Sequence, residues 1–279
     1  MSAKRRQSVQ QAILEAVLLG LLVLWIYPFI TIVLNSFKTT RGMMKDFLSI
    51  PAAFRVDNYL YAWQKMDFPR AVMNTVIVTA VGVGGIVLFG SMAAYKLARV
   101  HTRMSQLFFT LFLIPMMVPA QTVMLTITKF ASWLNLTGSL IGLCIIYWGT
   151  QTPFNTFLFH GFVKTVPAEL DESARIDGAS SLRVFFQIIF PLMTPVIFTS
   201  VVLSVITIWN DFLLPLLLLS FNNQKRTITL AVYTAFGTTN IDWPLATAGI
   251  VMSITIPIIV FIVLQKYIVD GIAAGAVKS

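Results

Sequence analysis

Six long apolar runs determine what this chain can fold into. They cover residues 13–34, 73–95, 107–127, 139–159, 192–219 and 245–268. Each run has roughly 20 residues or more, enough for a helix to cross a hydrocarbon core of ~30 Å. Backbone groups cannot pair with water in that core, and a helix satisfies them internally. The sequence therefore predicts an all-α integral membrane protein with six transmembrane helices.

Charged residues are scarce in this chain. They make up 11% of its residues, compared with about 25% in a soluble domain. The net charge of +9 comes from Lys and Arg residues scattered between apolar runs, as in the loops of a membrane protein. We therefore expect contact with the lipid bilayer and not with nucleic acid.

Short basic segments indicate the orientation of the spans. Lys4, Arg5 and Arg6 precede the first run, and the loop 96–106 contains basic residues but no acid. Such segments stay in the cytoplasm, so we predict that both termini are cytoplasmic. The predicted segments are a cytoplasmic tail 1–12, a transmembrane domain 13–268 with an extracytoplasmic loop 35–70 and a cytoplasmic loop 163–190, and a cytoplasmic tail 269–279.

The loop between the fourth and fifth runs has the pattern of two helices joined by a turn. Pro167 suits a first helical turn, and Thr165 is a candidate cap before it. Gly178 can adopt the left-handed conformation that ends a helix, and Ser180 or Ser181 can cap the next helix. We expect a short folded elbow on the cytoplasmic side.

This elbow is unusually acidic for the chain. It holds four of the eleven acidic residues, which are Glu169, Asp171, Glu172 and Asp177. A charged, water-facing segment between two spans indicates contact with a partner outside the bilayer. The alternative is an ordinary cytoplasmic loop with good helix caps.

The elbow also resembles a known motif. Residues 172–174, Glu-Ser-Ala, are followed after three residues by Gly178 and after nine more by 188–191, Ile-Ile-Phe-Pro. This is similar to the EAA signature of ABC-importer permeases, which reads Glu-Ala-Ala, three residues, Gly, nine residues, Ile-x-Leu-Pro. Ser173 stands in place of Ala, and Phe190 stands in place of Leu.

The resemblance extends over nearly the whole chain. It is carried by the elbow and by residues 74–76, 93–95, 209–212 and 271–278. The sequence looks like the smaller permease subunit of maltose-type carbohydrate ABC importers. That resemblance implies the six-helix type I importer permease fold in a prokaryotic cytoplasmic (inner or plasma) membrane. It also implies a homologous second permease subunit, two ATPase subunits and an extracytoplasmic solute-binding protein as partners.

By the same resemblance, the helix around Glu169 to Asp177 is a cytoplasmic coupling helix between spans four and five. It is expected to seat in a cleft of one ATPase subunit, with its acidic residues facing basic groups. The residues that the motif marks for coupling to the ATPase are Glu169, Glu172, Ala174, Asp177, Gly178, Ile188 and Pro191.

Polar side chains recur on one face of the fourth run and on one face of the fifth. Their spacing of three and then four residues places them on the same side of a helix. A sugar requires hydrogen-bonding groups and an aromatic face, and both are present. The candidates for a translocation path are Trp148, Gln151 and Asn155 in the fourth run, Thr207 and Asp211 in the fifth with Asn210 alongside, and Gln121 in the third run, which could join them. The alternative is that these residues bond neighbouring helices and contact no substrate.

Motifs of catalysis and of metal binding are missing from the sequence. It has no Gly-Lys dipeptide of a phosphate-binding loop, no Gly-x-Ser-x-Gly and no His-Glu-x-x-His. His101 and His160 lie far apart, and the single Cys144 has no neighbouring ligand. We expect no catalytic residue, metal site or bound cofactor in this chain, and ATP with Mg in separate ATPase subunits.

The function that we predict is that of a permease subunit in an ATP-driven importer. It would form half of the pathway for a sugar or oligosaccharide delivered by a binding protein. One alternative is an ion-driven secondary transporter, which would require paired intramembrane charges and internal repeats. Others are an ABC permease for a non-sugar solute such as a polyamine, and a membrane scaffold that transports nothing.

Overall fold

The computed structural model describes residues 3–237 and 240–276, and no strand occurs among them. The α-helices are α1 (Ala3–Ser36), α2 (Thr40–Lys45), α3 (Asp57–Lys65), α4 (Phe68–Arg99), α5 (Arg103–Met117), α6 (Ala120–Trp133), α7 (Leu140–Val163), α8 (Glu169–Ile176), α9 (Ser181–Val184), α10 (Phe190–Leu192), α11 (Thr194–Asn210), α12 (Leu213–Leu219), α13 (Ile228–Tyr233) and α14 (Trp243–Ala276). A π-helix covers Phe185–Ile189, and 3₁₀ turns cover Asn223–Lys225 and Thr234–Phe236.

Three helices in the described part of the chain are long and apolar enough to cross a membrane. They are Gln11–Ser36 in α1, Phe68–Arg99 in α4 and Trp243–Val263 in α14. These helices correspond to the first, second and sixth apolar runs. The number of such spans rises to five if each of two bent helix pairs counts as one.

The third apolar run is not a straight helix. It divides into α5 and α6, which meet at an angle of 110°. Pro119 causes the break, because it has no N–H to donate and because it forces Val118 into an extended conformation. The run 107–127 is therefore a bent pair of helices and not one straight helix.

The fifth apolar run is broken in two places. The helical stretch Ser181–Leu192 is bent by 77° from Thr194–Asn210, and Pro195 lies in the first turn after the bend. The chain leaves the helix again at Asp211 and resumes it in α12. The run 192–219 therefore contains α11 and α12, separated by a break at Asp211, and not one continuous helix.

The fourth run coincides with α7, where the Ser139 side chain accepts a hydrogen bond from the Gly142 amide at the first turn. This helix is not among the apolar spans described above. Its polar side chains, including Gln151 and Asn155, lower its mean hydropathy. Because many of its residues are buried, protein rather than lipid surrounds much of it.

One compact unit consists of the chain up to Phe68 together with Val232–Ile258. Its loop after α1 is held by side chains that bond to backbone carbonyls. The Asn58 amide donates to the carbonyls of Ser36 and Lys38, at 2.8 Å and 2.9 Å. The Lys38 ammonium donates to the Asp46 carbonyl at 3.0 Å. These bonds give the predicted extracytoplasmic loop a fixed structure.

A second unit consists of Pro69–Ala231 and the chain from Ile259 onward. Its buried core brings together side chains of α4, α7, the π-helix and α12. The largest of its completely buried side chains include Ile86, Tyr147, Phe159, Phe185 and Leu218. This core fixes the positions of the elbow and of the polar faces predicted above.

The helix α14 is not interrupted at residue 269, where the tail 269–279 was predicted to begin. Helix α14 continues through that boundary to Ala276, and residues 277–279 lie outside the described part of the chain.

Candidate functional site

The elbow has the helix, turn and helix that its sequence predicts. Helix α8 ends at Ile176, and Gly178 follows with φ of +82°. Only glycine adopts this left-handed conformation without steric cost. The amide of Ala179 then donates to the Ala174 carbonyl at 2.9 Å, and the Ser180 side chain caps α9. The turn therefore fixes the angle between the two helices.

The predicted cap at Thr165 was wrong. The hydroxyl of Thr165 donates to the Phe162 carbonyl at 2.8 Å, at the end of α7. Helix α8 begins two residues after Pro167, at Glu169, and no side chain caps its first turn. Three acidic residues in that turn stabilise the positive end of the helix instead.

The residues that the motif marks for coupling lie on two sides of the elbow. Ala174 is buried in the core, and Ile188 is half-buried. Five others are exposed, which are Glu169, Glu172, Asp177, Gly178 and Pro191. The apolar side chain of Ile176 lies beside this exposed set and is itself 86% exposed. The outer face of α8 thus combines carboxylates with an uncovered apolar side chain.

Asp171 does not belong to that outer face. It is only 5% exposed, and its carboxylate bonds to Tyr95 and Arg99 at the end of α4. The sequence grouped Asp171 with the outward-facing acids. The signal that could have separated them is helical geometry, since Asp171 and Ala174 are three residues apart and therefore share one face.

Trp148 and Asn155, two candidates on α7, bond to neighbouring helices. The indole N–H of Trp148 donates to the Val81 and Gly82 carbonyls of α4, at 3.1 Å each. The side-chain oxygen of Asn155 accepts a hydrogen bond from the Ser200 hydroxyl of α11. These contacts tie α7 to α4 and to α11.

Asp211 lies at the break between α11 and α12. One carboxylate oxygen accepts a hydrogen bond from the Tyr147 hydroxyl at 2.7 Å, and the other accepts the Leu213 amide at 2.9 Å. The backbone carbonyl of Asp211 accepts a hydrogen bond from the Thr229 hydroxyl at 2.7 Å. The carboxylate therefore caps α12 and connects the break to α7.

The remaining candidates form no hydrogen bond to another helix among the described contacts. Gln151 is half-buried, and its backbone carbonyl accepts the Asn155 amide. The side chains of Gln121, Thr207 and Asn210 are exposed. Thr207 and Asn210 bond only to carbonyls one turn earlier in α11, each at 2.8 Å. Their polar atoms have bonding capacity left for a partner or a solute.

Comparison with known proteins identifies the protein family to which the chain belongs. Residues 86–273 match the family described as "Binding-protein-dependent transport system inner membrane component". The chain belongs to this family. The match includes the elbow and both polar faces.

Curated relatives of this permease are named as sugar transporters. It is 36% identical, over 99% of its length and all of the relative, to the "Probable starch degradation products transport system permease protein AmyC" of Thermoanaerobacterium thermosulfurigenes. It is 32% identical, over 90% of its length and 91% of the relative, to the "Melibiose/raffinose/stachyose import permease protein MelC" of Bacillus subtilis (strain 168). The resemblance to carbohydrate importer permeases is thus confirmed.

A solved structure has the same fold. The permease aligns with a chain of a bacterial ABC transporter "involved in the import of the acidic polysaccharide alginate" at a TM-score of 0.79 and 25% identity. The alignment covers 96% of the permease and 98% of that chain. The all-helical fold of type I ABC importer permeases is therefore established for this chain.

On the first compact unit of the permease, Tyr61 and Asp242 form a polar contact. The Tyr61 hydroxyl donates to the Asp242 carboxylate at 2.7 Å, and the other carboxylate oxygen accepts the Leu245 amide in the first turn of α14. The hydrogen bond to Asp242 raises the pKa of Tyr61 above its ordinary value, because the bond requires the protonated phenol.

Proposed function

We propose that this chain is a permease subunit of an ATP-driven ABC importer and forms half of the pathway for a sugar or oligosaccharide. The exposed face of α8 carries the proposal, because it presents carboxylates and the uncovered Ile176 on a rigid helix at a fixed turn. Membership in the family and the names of the relatives support the substrate class.

The proposed partner of α8 is an ATPase subunit. Glu169, Glu172 and Asp177 would pair with basic side chains around a cleft, and Ile176 would fill an apolar pocket within it. Gly178 and the buried Ala174 would hold this face in position, while Ile188 and Pro191 would connect it to α11.

The proposed membrane topology has six spans with both termini in the cytoplasm. In addition to α1, α4 and α14, the spans would be the bent pair α5–α6, the helix α7 and the helices from α11 to α12. A break in a spanning segment is tolerated where it lies within protein or lines a wet cavity. The polar break at Asp211 meets that condition, since its carboxylate bonds to Tyr147 and Leu213.

The other proposed partners are a homologous second permease, a second ATPase subunit and an extracytoplasmic solute-binding protein. ATP and Mg would bind in the ATPase subunits, and this chain would bind no cofactor. Closure of the ATPase pair would displace α8 and rotate the spans that lead from it. A docked helix can drive this change only if its contacts differ between the two states.

Of the path candidates, Gln121, Thr207 and Asn210 are the ones that we propose for contact with the solute, because their side chains are exposed. Trp148, Asn155 and Asp211 would shape the path by holding helices in place, and the half-buried Gln151 would lie one turn before Asn155 on α7. A secondary transporter is less consistent with this arrangement, because the carboxylate of Asp211 is occupied by a helix cap and a tyrosine.

Affinity purification of the tagged chain from its own cells in mild detergent, followed by intact-complex mass spectrometry, tests the proposal. The wild type should retain a second permease and two ATPase subunits. Gly178→Arg should insert normally but lose the ATPase subunits, because a side chain at φ +82° strains the turn.

Thr165→Arg is the matched control, because it adds the same charge to an exposed position in the same loop. It should retain the ATPase subunits. Recovery of the wild-type chain alone, or only as a homo-oligomer, would overturn the importer and favour an ion-driven transporter. Uptake of starch-derived and raffinose-type oligosaccharides by the intact complex tests the substrate class.

A further inference from the structure

Three side chains connect the end of α4 to the inner face of α8, and we call them the α4–α8 clamp. The Tyr95 hydroxyl donates a hydrogen bond to one carboxylate oxygen of Asp171 at 2.5 Å. Arg99 donates from its Nε to the other oxygen at 2.6 Å. Both oxygens of Asp171 are therefore bonded to α4, in a place that water hardly reaches.

Arg99 also binds the end of α7. Its terminal nitrogens donate to the carbonyls of Val163 at 3.3 Å, Val166 at 2.9 Å and Pro167 at 3.4 Å. Val163 is the last residue of α7, and Val166 and Pro167 follow it, so the cation lies near the negative end of that helix, which is favourable. One guanidinium thus joins α4, the end of α7 and α8.

Tyr95 extends the contact to the segment after the elbow. Its ring lies 5.5 Å from the ring of Phe185, measured between centroids, and Phe185 is buried in the π-helix. The end of α4 therefore contacts both the helix before the Gly178 turn and the segment after it. A rigid displacement of the elbow cannot leave α4 in place without breaking these bonds.

The two faces of α8 divide its acidic residues by role. Glu169 and Glu172 are exposed and available to a partner subunit, whereas Asp171 is buried and already paired within the chain. If it lost the half-buried Arg99, the buried carboxylate of Asp171 would be left as an uncompensated charge, which is strongly unfavourable. The clamp therefore behaves as a rigid link.

We infer that Tyr95, Arg99 and Asp171 are positioning residues that transmit displacement of α8 to α4. This inference rests on the proposed docking of α8 to an ATPase subunit. It adds that the displacement of α8 also moves α4. Span two, and not only the spans that flank the elbow, moves when the ATPase pair closes.

The test compares Asp171→Asn and Tyr95→Phe with Glu172→Gln in the reconstituted complex. Three quantities are measured: retention of the ATPase subunits, ATP hydrolysis, and the number of sugar molecules transported per ATP. Asp171→Asn should retain the ATPase subunits and hydrolyse ATP but transport at least tenfold fewer sugars per ATP. Tyr95→Phe keeps the ring contact with Phe185 and removes one hydrogen bond, so its ratio should be intermediate.

Glu172→Gln removes a charge from the neighbouring exposed position and tests docking. It should weaken retention of the ATPase subunits, which Asp171→Asn should leave intact. If the wild type retains no ATPase subunit, the proposed function itself fails.

Wild-type ratios in both Asp171→Asn and Tyr95→Phe would overturn the clamp, as would loss of the ATPase subunits from Asp171→Asn to the same extent as from Glu172→Gln. If Asp171→Asn does not insert, Tyr95→Phe decides alone. A lowered ratio with full retention supports transmission, and a wild-type ratio contradicts it.

Discussion

The hydroxyl of Tyr147 lies 2.7 Å from the carboxylate of Asp211 and donates a hydrogen bond to it. Tyr147 is completely buried in α7, and Asp211 occupies the break between α11 and α12. The pair shows how the carboxylate of a single acid within a long apolar run obtains hydrogen-bond donors. A neighbouring helix supplies a donor, and the backbone of Leu213 supplies another.

We predict that Tyr147→Phe destabilises the permease without changing its affinity for sugar. Loss of the phenolic donor leaves one oxygen of Asp211 without its partner, at a cost of about 1–3 kcal/mol. The midpoint of thermal unfolding in detergent should fall, and the KM for transport should stay constant. A raised KM with an unchanged unfolding midpoint would identify this pair as a direct solute contact.

We predict that Gly85→Ala disrupts the packing of α4 on α7, whereas Gly84→Ala does not. A Cβ at Gly85 would lie 2.0 Å from the Trp148 indole nitrogen, while a Cβ at Gly84 would meet nothing within 4 Å. Overpacking of this kind costs about 1–3 kcal/mol, and it would displace Trp148 from its carbonyl partners. Unfolding midpoints and tryptophan fluorescence of the two variants give the comparison.

Gly84→Ala is the control for Gly85→Ala, since both substitutions add one methyl group to the same helix. Gly84→Ala should be neutral or slightly stabilising, because alanine favours a helix by up to about 1 kcal/mol over glycine. Two equally stable variants would show that the contact between α4 and Trp148 is not close-packed.

Local features of the sequence were predicted correctly because their causes are local. The helix α4 has a mean hydropathy of 2.2, and no distant contact is needed to identify it. The turn at Gly178 follows from the conformational freedom of one glycine between two helical segments. The angles of 110° and 77° at the two bends were not predictable in this way, since a proline marks where a helix breaks but not its new direction.

Partners that lie far apart in the sequence were also beyond prediction. Asp171 pairs with Arg99 and Asp211 pairs with Tyr147, at separations of 72 and 64 residues. Periodicity assigns a residue to a face of its own helix but does not say what packs on that face. The path candidates Thr207 and Asn210 could be listed from the sequence, but only the packed helices distinguish them from the engaged Trp148 and Asn155.

We predict that Thr207→Ala and Asn210→Ala weaken transport of sugar while the fold remains intact. Both side chains are exposed and bond only to carbonyls of their own helix. Truncation should shift the unfolding midpoint little and raise the KM for uptake several-fold. Ser253→Ala is the control, because its hydroxyl also bonds only to a carbonyl of its own helix, in α14. Unchanged KM values for both α11 variants would exclude them from the path.

We predict that the bond between Tyr61 and Asp242 persists through neutral pH and is lost in alkali. Because the folded protein raises the pKa of Tyr61, the stabilisation is complete below the ordinary tyrosine pKa of about 10 and disappears as the pH rises through the raised value. Absorbance titration of the wild type, after subtraction of Tyr61→Phe, should show late ionisation of this phenol. Asp242→Asn should lower the pH at which Tyr61 ionises. If this substitution leaves the titration of Tyr61 unchanged, the contact with Asp242 is contradicted.

A graded series at Gly178 separates the conformation of the turn from the space around it. A Cβ there would meet nothing within 4 Å, so any cost of substitution comes from φ of +82°. That cost is roughly 1–2 kcal/mol for most residues and smaller for asparagine, which tolerates the left-handed region. Retention of the ATPase subunits and transport should therefore fall in the order Gly, Asn, Ala, Val. Gly149→Ala, at an equally open site of ordinary helical conformation, should match the wild type. If valine at position 178 performed as well as asparagine, the backbone conformation would not be what positions α8, and the proposed docking face would need another anchor.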